Sequence, residues 1–265
     1  MALDGAFLAC LREELTAALP EARVDKIHQP SKEELVIHMR HRGGSERLYL
    51  SARANSPRVH FTKNAPENPV SPPMFCMLLR KRLTGGRLMA IRQNGWERAL
   101  YFDFDCVNEL GDIVRLTLAV EIMGRHSNII LIDENGLVVD AVKRVDIEMS
   151  SVRPVLPGLR YELPPCPAGV MDLSLCEPSE IVAALRRAPS APVAKALLST
   201  VHGLSPLLCR EVTHQALRGA DKRSNELSEE EAERLVFYLK RVKETVLTGV
   251  RRTPYALRDL KGALP

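Results

Sequence analysis

The hydrophobic pattern changes period several times along the chain, and each change marks an element. Phe7, Leu8, Leu11, Leu15 and Ala18 recur at helical spacing, which predicts a helix over residues 4–18 capped by Asp4. From residue 22 the pattern shortens into segments at 24–28, 34–39, 48–51 and 58–62, punctuated by Gly43-Gly44 and Asn55-Ser56-Pro57. That rhythm is one of antiparallel strands. A loop rich in Pro and Asn at 64–73 leads into a proline-started helix ending near residue 84. Met74, Met77, Leu78 and Leu83 make its expected apolar side, and Arg80-Lys81-Arg82 snorkel around its end.

After Gly85-Gly86, strands are expected at 87–93, 98–104, 113–122, 128–133 and 137–142. Tyr101 and Asp103 alternate with Phe102 and Phe104, the period of a half-buried strand, and Glu134-Asn135-Gly136 is a hairpin turn. A Pro-rich passage at 153–167 is the clearest boundary, because beyond it the pattern is helical at 178–187, 191–200, 205–217 and 228–247. Ser228 and Glu231 form a capping box for the last helix, whose stripe is Leu235, Leu239, Val242 and Val246. His202-Gly203-Leu204-Ser205-Pro206 joins the second and third of these helices. Such a turn either offers backbone amides to a nucleic-acid phosphate, as in a helix-hairpin-helix module, or simply caps packed helices. The expected class is α+β: a β-rich domain at 1–170 with a two-layer antiparallel sheet and flanking helices, a small helical domain at 171–225, and a helix with a return segment at 226–265.

Composition narrows the function classes. With 265 residues and 45% apolar content the chain can bury a substantial core. Lys plus Arg number 37 against 33 Asp plus Glu, and a net charge of +4 permits an RNA partner without demanding one. The six cysteines show no Cys-x-x-Cys pair, so they read as reduced thiols and neither a metal nor a cofactor is expected. The first twenty residues lack a signal-peptide core and no run of eighteen apolar residues occurs, which predicts a cytoplasmic protein without a membrane partner. Adjacent His126 and Ser127 do not make a catalytic triad, and His38 and His41 have no carboxylate at metal spacing. No catalytic residue is assigned.

The stretch from Glu121 to Asp133 is the most informative part of the chain. Gly124, Arg125, His126, Ser127 and Asn128 sit between two apolar runs, and their donors suit phosphate, ribose or a base edge. An ordinary solvated hairpin corner would look the same. The string resembles the signature of the NFACT family of ribosome-associated quality-control factors. The likeness extends in family order through Leu3-Asp4-Gly5, Arg23 to Ser31, Asn68-Pro69, Pro72 to Lys81, Leu156-Pro157-Gly158 with Tyr161, and Leu163-Pro164-Pro165.

The resemblance implies a β-rich domain similar to the N-terminal domain of formamidopyrimidine DNA glycosylases, followed by helix-hairpin-helix units. Those glycosylases use an N-terminal proline amine, whereas this chain begins Met1-Ala2-Leu3-Asp4, so nucleic-acid contact without base excision is implied. The family's Asp-Arg pair for tRNA falls at Glu97-Arg98, with Glu one methylene longer than Asp. The residues expected to meet tRNA or RNA are therefore Glu97, Arg98, Gly124, Arg125, His126, Ser127 and Asn128, joined by Arg80 and Lys81 of a basic run that reaches Arg98. Trp96 is expected to anchor the core or loop rather than stack on a base. The implied partners are tRNA, alanine tRNA above others, and the large ribosomal subunit carrying peptidyl-tRNA. The family's older name makes a surface adhesin that binds fibronectin the alternative. A long coiled coil and a C-terminal RNA-binding domain follow in the family, so the chain reads as an N-terminal fragment.

Overall fold

Asp4 starts the first helix by accepting the amide of Phe7 on its Oδ1 at 2.8 Å, and α1 runs Gly5–Ala18. The computed structural model describes residues 3–150, 152–249 and 252–253. Four strands meander after α1: β1 (Arg23–Ser31), β2 (Glu34–His41), β3 (Gly44–Ser51) and β4 (Arg58–Phe61). Helix α2 (Met74–Leu83) then precedes β5 (Arg87–Arg92), β6 (Ala99–Val107), β7 (Ile113–Glu121), β8 (Asn128–Ile132) and β9 (Val138–Ala141). All nine are antiparallel neighbours in the order β4-β3-β2-β1-β5-β6-β7-β8-β9.

The two halves of this ribbon are joined by little. Between β1 and β5 the ladder is a single pair, Arg23 with Arg87, so the sheet folds over there and its halves face each other. Leu35, Ile37, Leu48 and Leu50 from the first half share one core with Phe102, Phe104, Leu118 and Val120 from the second. The expected two-layer sheet is thus present, with the apolar residue of each alternating pair turned inward. Strand β1 continues past its expected end through Pro30, because a register shift between His28 and Ser31 relieves proline of a ladder bond it cannot make. Helix α2 is turned from its expected face: Phe75, Cys76, Leu79 and Leu83 are buried, while Met74 is 82% exposed.

Beyond the Pro-rich passage lie β10 (Met171–Asp172), α3 (Pro178–Arg187), α4 (Val193–Thr200), β11 (Val201–His202), α5 (Pro206–Leu217) and α6 (Glu229–Thr248). The Ser228–Glu231 capping box forms, with both reciprocal bonds made. Leu235 and Leu239 of α6 enter the same cluster as Ile181, Leu197 and Val212, so α6 belongs with α3–α5 and no division falls at residue 225. The return segment expected after α6 lies almost wholly outside the described residues.

Helix α1 serves both cores. Leu8, Leu11 and Leu15 enter the sandwich, whereas Ala6 and Ala9 enter the helical cluster beside Trp96. The contact is close enough to require glycine: a Cβ on Gly5 would stand 1.6 Å from the Trp96 carbonyl oxygen. Trp96, 1% exposed, is a junction anchor, its amide bonded to Asp172 Oδ2 at 2.9 Å. The turn after β11 packs here too. The Ser205 amide donates to Asp4 Oδ2 at 3.0 Å and the Gly203 carbonyl accepts from Ala6 at 3.1 Å. An amide that an open helix-hairpin-helix would show to phosphate is thereby used inside the protein.

Candidate nucleic-acid interface

The signature folds as expected up to its tip and then departs. Glu121 ends β7, residues Gly124–His126 form a 3-10 turn, and Asn128 begins β8. Gly124 takes φ +60, in the left-handed region that favours glycine. Arg125 and His126 are exposed, and Arg125 Nε donates to His126 Nε2 at 3.0 Å. Ser127 and Asn128 are buried and face the protein. Ser127 Oγ accepts the Met123 amide at 2.8 Å, and Asn128 exchanges bonds with the Lys143 main chain at 2.8 and 3.0 Å. These two side chains close the turn; as outward donors to RNA they are corrected, since buried polar groups this far from water must be paired internally.

Glu97 and Arg98 also divide. The Arg98 carbonyl accepts the Ile122 amide at 2.8 Å, so β6 and β7 carry this pair to the very start of the signature. Arg98 is half-buried, and its guanidinium makes no hydrogen bond or ion pair among the described residues. Its charge reaches His202, which burial holds below the usual histidine value, opposed by Asp172 and assisted by Arg98. Glu97 is only 9% exposed and takes a bond from the Tyr101 hydroxyl at 3.3 Å. Burial pushes its carboxyl up, with Glu121 and Asp172 adding to the shift against Tyr101 and Arg153. As an exposed tRNA contact Glu97 is therefore corrected to a buried member of the wall behind Arg98.

That wall is invisible in the local sequence. Glu121, 1% exposed, holds Arg153 by both oxygens at 3.0 and 2.5 Å and accepts the Tyr161 hydroxyl at 2.8 Å. Arg153 lies over the Tyr161 ring at 5.1 Å. The partners come from positions 32 and 40 residues away, where no spacing rule reaches. The other side of the turn escapes sequence reading for the same reason. Lys143 Nζ donates to the Ala52 carbonyl and pairs with Glu33, both at 2.6 Å, while Gly124 lies against the Ala54 carbonyl. Arg53, exposed in the β3–β4 loop, consequently joins Arg125 and His126 at one end of the sandwich.

The basic run does not form one patch. Arg92 is tied to Asp103 at 2.5 and 2.9 Å, and Arg87 to Glu21 at 2.6 Å. Lys81 pairs with Glu109 at 2.6 Å, in the turn at the far end of β6 from Arg98. Eight steps of strand at about 3.3 Å separate those ends by roughly 26 Å. Arg80 donates through Nε to the Ile27 carbonyl at 2.8 Å. Neither Arg80 nor Lys81 is brought to the signature. Among the described residues no cluster of three or more His, Cys, Asp or Glu could hold a metal, and no helix is long and apolar enough to cross a membrane.

A folded-over antiparallel sandwich sharing its first helix with a small helical bundle, with a donor-bearing turn where β7 meets β8, is the architecture that comparison with known proteins identifies. Residues 4–258 match the model of the NFACT N-terminal and middle domains, and the chain belongs to the NFACT family. It is similar to the Rqc2 homolog RqcH of Bacillus subtilis, 41% identical over 217 residues that cover 82% of this chain and 38% of that protein. This chain therefore spans less than two fifths of that relative's length. Among solved structures it resembles the N-terminal part of the fibronectin/fibrinogen-binding protein from Streptococcus suis, with TM-score 0.78 and 30% identity over 98% of this chain and 88% of that one. The N-terminal domain of the fibronectin-binding protein PavA from Streptococcus pneumoniae gives TM-score 0.73 and 34% identity over 82% of each chain.

Proposed function

We propose that this chain is the N-terminal part of a ribosome-associated quality-control factor. It engages tRNA, alanine tRNA in the first instance, on a large ribosomal subunit obstructed by peptidyl-tRNA, and so directs template-free C-terminal tailing of the stalled nascent chain in the cytoplasm. The protein positions its substrates and the ribosome performs the chemistry; the chain itself is not an enzyme. One observation carries this reading. Strand pairing brings the half-buried Arg98, with no partner for its guanidinium among the described residues, to Ile122, and the exposed Arg125 and His126 follow three and four residues on. The unpaired Arg98 guanidinium, with the exposed Arg125–His126 pair whose remaining donors face solvent, suits the phosphates and base edges of a folded RNA.

The test is sequencing of RNA that co-purifies with the full-length protein. A single enriched tRNA, lost in Arg98→Ala without loss of fold, is the expected result. An undiminished tRNA yield from Arg98→Ala sinks the assignment of that residue, and absence of any tRNA sinks the function. The names of the solved relatives favour one other reading, an adhesin that binds fibronectin. Detection on intact cells together with absence from sedimented ribosomes would put that reading first.

A further inference from the structure

The outer face of the β1–β4 layer carries a chemistry that the sandwich core does not use. Strand register defines it: the pairs Lys26–His38, His28–Val36, His38–Arg47 and Val36–Tyr49 lie outside, while Ile27–Ile37 and Leu35–Leu50 point inward. Among the outward paired positions Glu34 is the only carboxylate, and it is 5% exposed and already held by Ser31 and Tyr49. Val36 and Tyr49 are buried on it, and Lys26, His28, His38, Arg40 and Arg47 make its accessible part cationic or imidazole-bearing.

Two clefts open on it. One, of about 240 Å³, is lined by His28, His38 and Arg47 beneath the loop residues Pro66 and Asn68. The other, of about 260 Å³, lies on the α2 side of His28, between Lys26 and Arg80, with Asp25 at its rim. The imidazoles of His28 and His38 meet edge-on, with ring centroids 5.1 Å apart. Arg47 is steadied by one bond to the Lys63 carbonyl at 3.1 Å, and Arg80 by its Nε bond to Ile27. Arg47 thus spends one N–H, and Arg80 one strong bond and a weak one from Nη1 to Met77 Sδ at 3.9 Å, which leaves other donors of each guanidinium for an anion. The accessible face ends at Arg47, because Tyr49 and Ser51 further along β3 are buried, and exposure resumes at Arg53 beside the turn described above. Arg47, Tyr49 and Ser51 follow one another along β3 toward Arg53 and Ala54, and the Ala54 carbonyl lies against Gly124. The span from Arg47 to Ser51 is about 13 Å at 3.3 Å per residue.

We propose that the His28–His38–Arg47 cleft, with Arg80 beside it, binds a phosphate of an RNA backbone, so that RNA crosses the outer face of this layer as well as the turn at Gly124–His126. The proposal rests on the tRNA reading and adds a contact that reading does not contain. Exposed guanidinium donors at both ends of β3, Arg47 and Arg53, with the His28 and His38 imidazoles beside the first, favour the spaced phosphates of a nucleic acid over an acidic peptide. The state of the histidines agrees. Burial lowers both below the usual value, helped for His28 by Arg80, Lys26 and Arg47, and for His38 by His28, Arg47 and Lys26 against Asp25. A bound phosphate counters that repulsion, so binding takes up protons and tightens as pH falls from about 7.5 toward 5.5.

The experiment titrates the chain with labelled tRNA and, separately, follows its histidine C2–H resonances with inorganic phosphate. The double variant Arg47→Ala/His38→Ala is expected to remain folded, because both side chains stand on the outer face, and to bind tRNA about tenfold more weakly at roughly 50 mM salt. Its slope of log affinity against log salt should fall by about one for each phosphate left without a cation. Arg47→Lys alone should recover most of the affinity, and phosphate should raise the His28 midpoint in the wild type but not in the double variant. If Arg98→Ala weakens binding and the folded double variant does not, the tRNA reading survives and the cleft proposal falls. A phosphate response without any change in tRNA affinity overturns it as well. If the wild type binds no RNA but poly-glutamate shifts the histidines, both readings fall and the cleft is a protein-docking surface.

Discussion

Replacing Arg153 with leucine isolates the buried network behind the signature. Arg153 is the only cation paired with Glu121 among the described residues, and it meets both carboxylate oxygens at 3.0 and 2.5 Å. With Glu121 at 1% exposure, the variant leaves a carboxylate that water cannot reach, satisfied only by the Tyr161 hydroxyl. Breaking one side of a buried pair costs about 3–5 kcal/mol, and at about 2–4 °C per kcal/mol for a chain of this size the melting point should drop by roughly 6–20 °C. The penalty belongs to the orphaned charge rather than to the missing bond. Arg153→Leu with Glu121→Gln should therefore melt well above Arg153→Leu alone, a coupling of about 1–3 kcal/mol in a double-mutant cycle by calorimetry. A loss under about 1 kcal/mol for Arg153→Leu, or a double variant no more stable than the single one, would refute the reasoning.

Three other perturbations have distinct signatures. The raised carboxyl of Glu97 means that the folded state holds its proton more tightly than the unfolded chain, so its contribution declines as pH rises above the ordinary carboxylate value; Glu97→Gln should melt at or above wild type at pH 8 and lose that advantage below about pH 4.5, and a lower melting point at pH 8 would contradict it. Arg125→Ala and His126→Ala should each shift stability by no more than about 0.5 kcal/mol while weakening tRNA binding, whereas Gly124→Val should cost about 1–2 kcal/mol from φ +60 alone, since the space around its Cβ is open to within 3.8 Å; early melting of Arg125→Ala with normal binding per folded molecule would make it a structural group. Gly5→Ala should unseat the junction, because its Cβ would overlap the Trp96 carbonyl oxygen; a melting curve within about 1 kcal/mol of wild type would show that α1 moves freely there.

What is legible in the chain is what local chemistry decides. Asp4, Ser228 and Glu231 announce helix starts through bonds spanning three residues, and alternation along 99–107 announces a strand. The turn at Gly124 is legible because a positive φ needs glycine. The direction of its neighbours is not. Ser127 and Asn128 are polar on paper and buried in fact, since Asn128 faces Lys143, fifteen residues on in β9's exit. Likewise Glu97 reads as half of an exposed charged pair until the fold buries it against the Tyr101 hydroxyl and within reach of the Glu121 charge. The run from Arg80 to Arg98 reads as one basic patch because sequence distance hides that Asp103, Glu21 and Glu109 neutralise three of its members across the sheet. His38 has no partner at metal spacing along its own strand, whereas its neighbours His28 and Arg47 stand on the adjacent ones.

The double burial of α1 has a consequence for biosynthesis. Its Asp4 carboxylate waits for the Ser205 amide, 201 residues later in the chain, and its Ala6–Ala9 flank waits for helices of that same later part. Helix α1 thus leaves the ribosome well before it can be fully covered, and closing that circuit is a long-range event of the kind that slows folding. The sandwich can assemble around Leu8, Leu11 and Leu15 as β1–β9 emerge, leaving the opposite flank and Trp96 apolar and open in the meantime. A chain interrupted before α5 is made would carry this unfinished seam on its surface, a sticky intermediate for chaperones and proteases to recognise.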